Sequence, residues 1–178
     1  MLHKVVQLGG KSYFWLEKTN VVSMIQEYQV SGFRVREYEE LESTNTEAER
    51  VGWSELEDKM VILTYRQTQG RGQVGNHWES EPGKNISMTV VFKPRELSAG
   101  QQFAVSMVIA LGACDFISRY VSGCSVKWPN DIYVGDRKIS GILIEHSIMG
   151  RYVGGSLCGI GVNINQERFL SDAPNPVS

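Results

Sequence analysis

Apolar and polar residues alternate over several short stretches of this chain, and a period of two marks strands with one buried face. "FRVREYEEL" (33–41), "MVILTYRQ" (60–67) and "NISMTVVFK" (85–93) read this way. In "IYVGDRKISGILIEH" (132–146), Gly135-Asp136 sits between two such runs, where a hairpin needs its turn. "RYVGGSLCGIGVNIN" (151–165), just after Gly150, is the last strand-like run. Helical signals lie between the strands. "TNVVSMIQEYQVSG" (19–32) predicts a short helix, capped by Thr19 or Asn20 and stopped by Gly32. Thr44 and Glu47 have capping-box spacing, so a second short helix starts in "STNTEAER" (43–50). Residues 98–123 predict one long helix. Phe103, Met107, Ala110, Leu111, Cys114 and Ile117 share one face, and Val105, Val108 and Phe116 add another, so this helix is expected to be central. Strands, one long helix, then hairpin strands predict an α+β fold, a mixed, largely antiparallel sheet backed by helices.

With 178 residues the chain is long enough for one domain, and 42% hydrophobic against 21% charged residues can bury an ordinary core. A formal net charge of −2 leaves no basic footprint for nucleic acid and no polybasic signal for an anionic membrane, so a small molecule or a protein is the expected partner. Cys114, Cys124 and Cys158 lack C-x-x-C spacing and read as reduced, mostly buried thiols rather than a disulfide framework or metal site. No signal-peptide core is seen, and no stretch reads as long enough to span a bilayer. Together these predict a cytoplasmic protein with no resident metal.

The first candidate chemistry is in residues 69–85, "QGRGQVGNHWESEPGKN", where Gly70, Gly72 and Gly75 fit G-x-G-x-x-G. That pattern holds a dinucleotide only when a helix follows. Here a strand leads in, but Pro82, Gly83 and Asn85 predict loop and then another strand, which speaks against a dinucleotide fold. Other clusters have ordinary alternatives. Ser43, Thr44 and Asn45 can cap a helix. Pro129, Asn130 and Asp131 can make a turn. Lys127 and Lys138 can be solvated, and Gly159 and Gly161 can mark a bulge. Taken as a set they form an inventory for a nucleotide and a small carboxylate. Glycine amides approach anions closely, and Arg71, Lys127 and Lys138 supply positive charge. Trp78 offers a flat face to a purine, and Asn85, Asn130 and Asn163 both donate and accept, as adenine edges require.

"STN", "GRGQVGNHWESEPGKNIS", "KWPND", "DRKISGILIE" and "GIGVNIN" occur in that order, from Ser43 to Asn165, and resemble the catalytic domain of biotin–protein ligases. The resemblance implies a fold like that of class II aminoacyl-tRNA synthetases, and an enzyme that joins biotin to ATP, with Mg2+, as biotinyl-5′-AMP. It then implies transfer of biotin to a lysine of a biotin carboxyl carrier domain, and it allows a homodimer. By the same resemblance Ser43, Thr44, Asn45 and Gln67 lie beside biotin. Gly70, Arg71, Gly72 and Gln73 close over carboxylate and phosphate, and Lys138 bridges the two. Gly141 lets the ligand approach its strand, Trp78 packs on adenine, and Asn163 lies near it. Asp131 either accepts the proton of the attacking amine or serves the turn, and Lys127 is the alternative catalytic cation. Where many relatives carry loop arginines, this chain has Gln73, Val74 and Asn76, leaving Arg71 as the loop's cation. The expected organisation is an N-terminal extension, residues 1–32, and a catalytic domain, 33–178, C-terminally truncated so that the family's small β-barrel cap is absent. Lipoate–protein ligase of the same fold and a non-catalytic biotin or adenylate sensor are the alternative readings.

Overall fold

The computed structural model describes residues 4–8, 11–15, 24–73, 75–170 and 175–178, the first two segments by backbone alone. Strands β1 (Lys4–Leu8) and β2 (Lys11–Trp15) pair with each other as a separate antiparallel ribbon. The main body runs β3 (Met24–Val30), β4 (Phe33–Leu41), α1 (Thr44–Val51), β5 (Met60–Gln67), β6 (Asn85–Phe92), α2 (Phe103–Ile117), β7 (Cys124–Lys127), β8 (Asp131–Val134), β9 (Arg137–Met149) and β10 (Tyr152–Asn163). These strands form one eight-stranded sheet in the order β3-β4-β5-β6-β10-β9-β8-β7. β4 and β5 are parallel, joined through α1, and the other neighbours are antiparallel. The sheet is therefore mixed and largely antiparallel, as its alternating segments predict.

The two helices cover opposite faces. In β10, Leu157 points to the cluster around α1 with Ala48, Ile62 and Val91, whereas Ile160 and Val162 point to the cluster around α2 with Ala110, Ile117, Ile132 and Ile142. Odd and even positions of a strand face opposite ways, so one strand serves both cores. The hairpin expected at Gly135-Asp136 forms, with Val134 opposite Arg137 and Gly135 at φ 60°.

Four expectations are corrected. Residues 24–30 form strand β3, not a helix, while Thr19 and Asn20 lie outside the described residues. Ser31 and Gly32 both have positive φ, 50° and 81°, as a two-residue type I′ turn requires, so Gly32 turns a hairpin rather than stopping a helix. Thr44 is the first helical residue of α1 rather than its cap. The cap position is Ser43, whose carbonyl accepts from the Glu47 amide at 3.0 Å. The long helix is shorter than expected. A 3₁₀ turn (Ala99–Gln101) precedes α2, and Val105, Ala110 and Ile117 are its buried residues. Phe103, Met107, Val108 and Leu111 are exposed. The segment is apolar nearly all round, so periodicity could not choose its buried face. By length and composition alone, Ala99–Ile117, with mean hydropathy 1.4, would suffice to cross a membrane, contrary to the sequence expectation. The cysteines carry free thiols, and burial pushes the Cys158 thiol up to about 12.

The buried Glu37 ties the β3–β4–β5 edge together, accepting from the Tyr65 hydroxyl and from Gln26 Nε2 at 2.8 Å. The Tyr65 hydrogen bond, then the Gln26 bond, hold its carboxyl below the usual range against the opposing effect of burial. A depressed carboxyl stabilises the fold above its unfolded pKa, ~4.3, and loses that contribution as pH falls through the folded value. Glu37→Gln should therefore cost roughly 1–2 kcal/mol at pH 7. The gap from the parent should narrow as the pH is lowered toward ~3, as urea unfolding at the two pH values would show.

Candidate functional site

On the α1 side of the sheet, β9 and β10 pair so that Gly141 lies opposite Gly161, and Gly159 lies opposite Leu143. Glycine has no side chain, so this strip of backbone is bare, and two side chains lie on it. A methyl group at Gly159 would stand 2.6 Å from Asn45 Oδ1. One at Gly141 would stand 2.9 Å from the Trp78 ring, and one at Gly161 would overlap the indole itself. Contact with the strip thus fixes where α1 and the glycine-rich loop can sit. Around it is a cavity of about 500 Å³, lined among others by Ser43, Thr44, Asn45, Gln67, Arg71, Trp78, Asn130, Lys138 and Asn163. That is within the size range of small-molecule sites.

One end of the cavity is a buried polar chain. Asn45 is 2% exposed. Its Oδ1 accepts from the Thr89 hydroxyl at 2.5 Å, Thr89 and Thr44 hydroxyls meet at 2.8 Å, and Thr44 Oγ1 lies 3.3 Å from Gln67 Oε1. Gln67 Oε1 also accepts the Thr44 amide at 2.9 Å. That amide is one of the unpaired donors of a helix start, so a side chain from β5 serves as the cap that Ser43 does not supply.

The glycine-rich loop folds back on itself. Trp78 N donates to Gly70 O at 2.9 Å, Gly72 N to Asn76 O at 3.0 Å, and Arg71 pairs with His77 in an isolated bridge. Gly70 and Gly72 are required by these close approaches, since a methyl group at either would press on the returning strand. Arg71 ion-pairs with Glu145, and with Glu49 at 3.4 Å. Gln73 Nε2 donates to Asn130 Oδ1 at 3.0 Å, and the Asn130 amide donates to Ile142 O.

Lys138 reaches the cavity because β9 carries an extra residue. Ile132 faces Ser140, but Tyr133 faces Lys138, so the pairing skips Ile139. This bulge puts Ile139 in the core with Ile142 and turns Lys138 to the glycine side. There its ammonium lies 2.8 Å from Asp131 and 6.0 Å from the centre of the Trp78 ring. The tail returns to the same residue, with the Lys138 amide donating to Asn175 O and the Val177 amide to Lys138 O, both at 2.9 Å. Two buried side-chain atoms among the described residues have no hydrogen-bond partner: Trp78 Nε1 and Asn163 Oδ1. Both belong to cavity-lining residues, and a buried orphan donor and acceptor are costly unless a ligand completes them.

Most of the residues expected at the site come together here, including Gly72, Gln73, Asp131 and Gly141. Three do not line the cavity. The Lys127 ammonium turns to Tyr133, 3.3 Å from its hydroxyl and 4.6 Å from its ring centre. Asn85 is engaged with the exit of β10, accepting from Ile164 N at 3.1 Å and donating to Gln166 Oε1. Gly70 serves closure of the loop. Glu145, Glu49 and Thr89 were missed, because a carboxylate or threonine inside an alternating run looks like an ordinary strand position.

The family model described as the biotin/lipoate A/B protein ligase family matches residues 38–163. The chain is similar to the biotin--[acetyl-CoA-carboxylase] ligase of Paracoccus denitrificans, 33% identical over 125 residues, covering 69% of this chain and 51% of that protein. It is also similar to the bifunctional ligase/repressor BirA of Escherichia coli K12, 28% identical over 174 residues, covering 96% of this chain and 53% of that protein. Its structure resembles the biotin protein ligase of Aquifex aeolicus in complex with biotin and ATP, with a TM-score of 0.65 and 25% identity, covering 80% and 58% of the two chains. The chain thus spans about half the length of these curated relatives.

The two close contacts on the glycine strip differ in consequence. Gly159→Ala should press on the buried, hydrogen-bonded Asn45 and cost about 1–3 kcal/mol. Gly161→Ala should push the Trp78 ring off the strip, at under about 1 kcal/mol, because a loop side chain can yield. Urea unfolding of the two variants would check the order.

Proposed function

The chain belongs to the biotin/lipoate A/B protein ligase family, and on that premise we propose that it activates biotin with MgATP and passes the biotinyl group to a lysine of a biotin carboxyl carrier domain. The observation that carries the reading is the pairing of a finished polar pocket with an unfinished one. At the Asn45 end the hydrogen bonds close on one another. At the Asn163 end an acceptor and the Trp78 indole N–H stay buried and unpaired. Asn163 Oδ1 suits an exocyclic amine such as that of adenine, and the Trp78 face suits its ring. Ser43, Asn45 and Gln67 suit the polar end of biotin.

In the first step the biotin carboxylate attacks the α-phosphorus of ATP, forming the acyl phosphate bond of biotinyl-5′-AMP and releasing pyrophosphate. Two anions must approach, so positive groups placed where charge shifts lower the barrier most. Lys138 and Arg71 line the cavity and fill that role, each leaving an internal carboxylate partner, Asp131 or Glu145, for the substrate. In the second step a neutral lysine amine of the carrier attacks the acyl carbon, AMP departs, and the amine proton leaves. Asp131, a cavity-lining carboxylate once released from Lys138, is placed to accept it. Among the described residues no group of His, Cys, Asp and Glu is arranged to hold a metal, so Mg2+ is assigned to the triphosphate as part of the substrate. Free thiols suit the reducing cytoplasm.

Biotin should raise the melting temperature by mass action, and biotin with MgATP should raise it further. A larger shift with lipoate or NAD would refute this choice of ligand. Lys138→Ala should slow pyrophosphate release in a single-turnover assay by about 10²-fold or more, with a smaller loss of biotin binding. Lys138→Arg should rescue only in part, because a planar fork replaces a compact charge. Release from the alanine variant within about threefold of the parent, under ~1 kcal/mol of barrier, would remove Lys138 from the chemistry.

A further inference from the structure

Glu145 joins two parts of the site that lie far apart in sequence: the floor of the pocket and the loop above it. It stands on β9, on the same face as Gly141 and Leu143. One carboxylate oxygen, Oε2, accepts from Asn45 Nδ2 at 2.8 Å. The other, Oε1, accepts from Arg71 Nη2. The second cation partner, Glu49, is at 3.4 Å from Arg71, so Glu145 is the closer hold on the guanidinium.

The chemistry of a carboxylate makes this more than a contact. Ionised, it accepts and never donates, so Asn45 must turn its amide nitrogen toward it. The second hydrogen of that nitrogen faces Leu143 O at 3.5 Å. Asn45 then has only its oxygen left, which takes the Thr89 hydroxyl and keeps one lone pair for a ligand donor. A ring N–H such as that of a cyclic urea fits that acceptor. At the loop, the same carboxylate neutralises Arg71 until another anion competes for it.

We propose that Glu145 is a positioning residue that couples the acyl pocket to the glycine-rich loop: it sets the orientation of the Asn45 amide and holds Arg71 until the phosphate of the adenylate takes the guanidinium over. The proposal rests on the ligase reading for the identity of the two ligands, but not for the two contacts. It also differs from a merely structural role. Glu145 is on the cavity side of a well-paired strand and its side chain is 29% exposed, so an isosteric amide is compatible with folding.

The test is Glu145→Gln, which keeps size but loses the charge and the acceptor-only character. Without added ligand, hydrogen exchange of the loop amides 70–78 should speed up by about fivefold or more, as expected where a hold on a local segment is lost. The biotin concentration for half-maximal pyrophosphate release should rise about tenfold, the scale of one charge-assisted hydrogen bond. Glu145→Asp, which keeps charge and acceptor character, should recover part of the loss in half-saturation. If exchange, half-saturation or both stay within about twofold of the parent in Glu145→Gln, the coupling is overturned. A parent protein that releases no pyrophosphate with biotin and MgATP counts against the ligase reading instead, and the exchange arm still decides whether Glu145 holds Arg71.

Discussion

The site depends on one constraint: backbone must lie bare where β9 pairs with β10. Gly141 and Gly161 are register partners, and Gly159 follows on the same face. Any side chain there would strike Asn45 or Trp78. Because the strip is bare, α1 can lay a polar side chain on the sheet, and a loop from the far side of β5 can lay an indole beside it. Sheet faces are normally filled by their own side chains, so a bare strip inside a sheet makes room for something from elsewhere. The cavity is what remains between the sheet and the two elements that rest on it.

A second local departure from regularity completes the site. If β9 alternated regularly through Ile139, Lys138 would share a face with Ser140 and Ile142, in the apolar layer under α2. Burying an ammonium there would cost more than the layer could return. With the bulge, the ammonium meets Asp131 and Ile139 takes the apolar position instead. The tail at 175–177 then pairs with the Lys138 backbone, so the irregular residue is bonded on both amide and carbonyl. A bulge that re-aims a side chain, anchored by a returning segment, gives the cation a fixed base.

Much of this was legible in the sequence for a definite reason. Strands with one buried face announce themselves by alternation, and β4, β5, β6 and the β8–β9 hairpin did so. The glycine-rich loop, the lysine and the asparagine are short motifs whose residue types carry their own chemistry. What stayed hidden was set by tertiary partners. β3 has every residue exposed, so no apolar period marks it, and its hairpin turn looked like a helix stop. α2 is apolar on nearly all sides, and only the packed structure tells Ala110 from Leu111. Asn85 and Lys127 have the right chemistry for the site, but Gln166 and Tyr133 occupy them. Glu145 was invisible because its role comes from Asn45, a hundred residues earlier.

The order of the strands has a consequence for how the molecule can be divided. β3 to β6 are contiguous in the chain, and so are β7 to β10, and strand pairing joins the two sets only at the β6–β10 seam. Ser43, Asn45, Gln67 and Trp78 come from the first set, whereas Lys138, Gly161 and Asn163 come from the second. Arg95 and Glu96 lie exposed on the connection between them, and Glu96 has φ 57°. A cleavage there would leave two fragments, each with half of the cavity wall and one edge of the seam. Neither half holds both the Asn45 pocket and the Lys138 ammonium, so a restored cavity would report their reassociation. The cavity wall is thus complete only where β6 and β10 are paired.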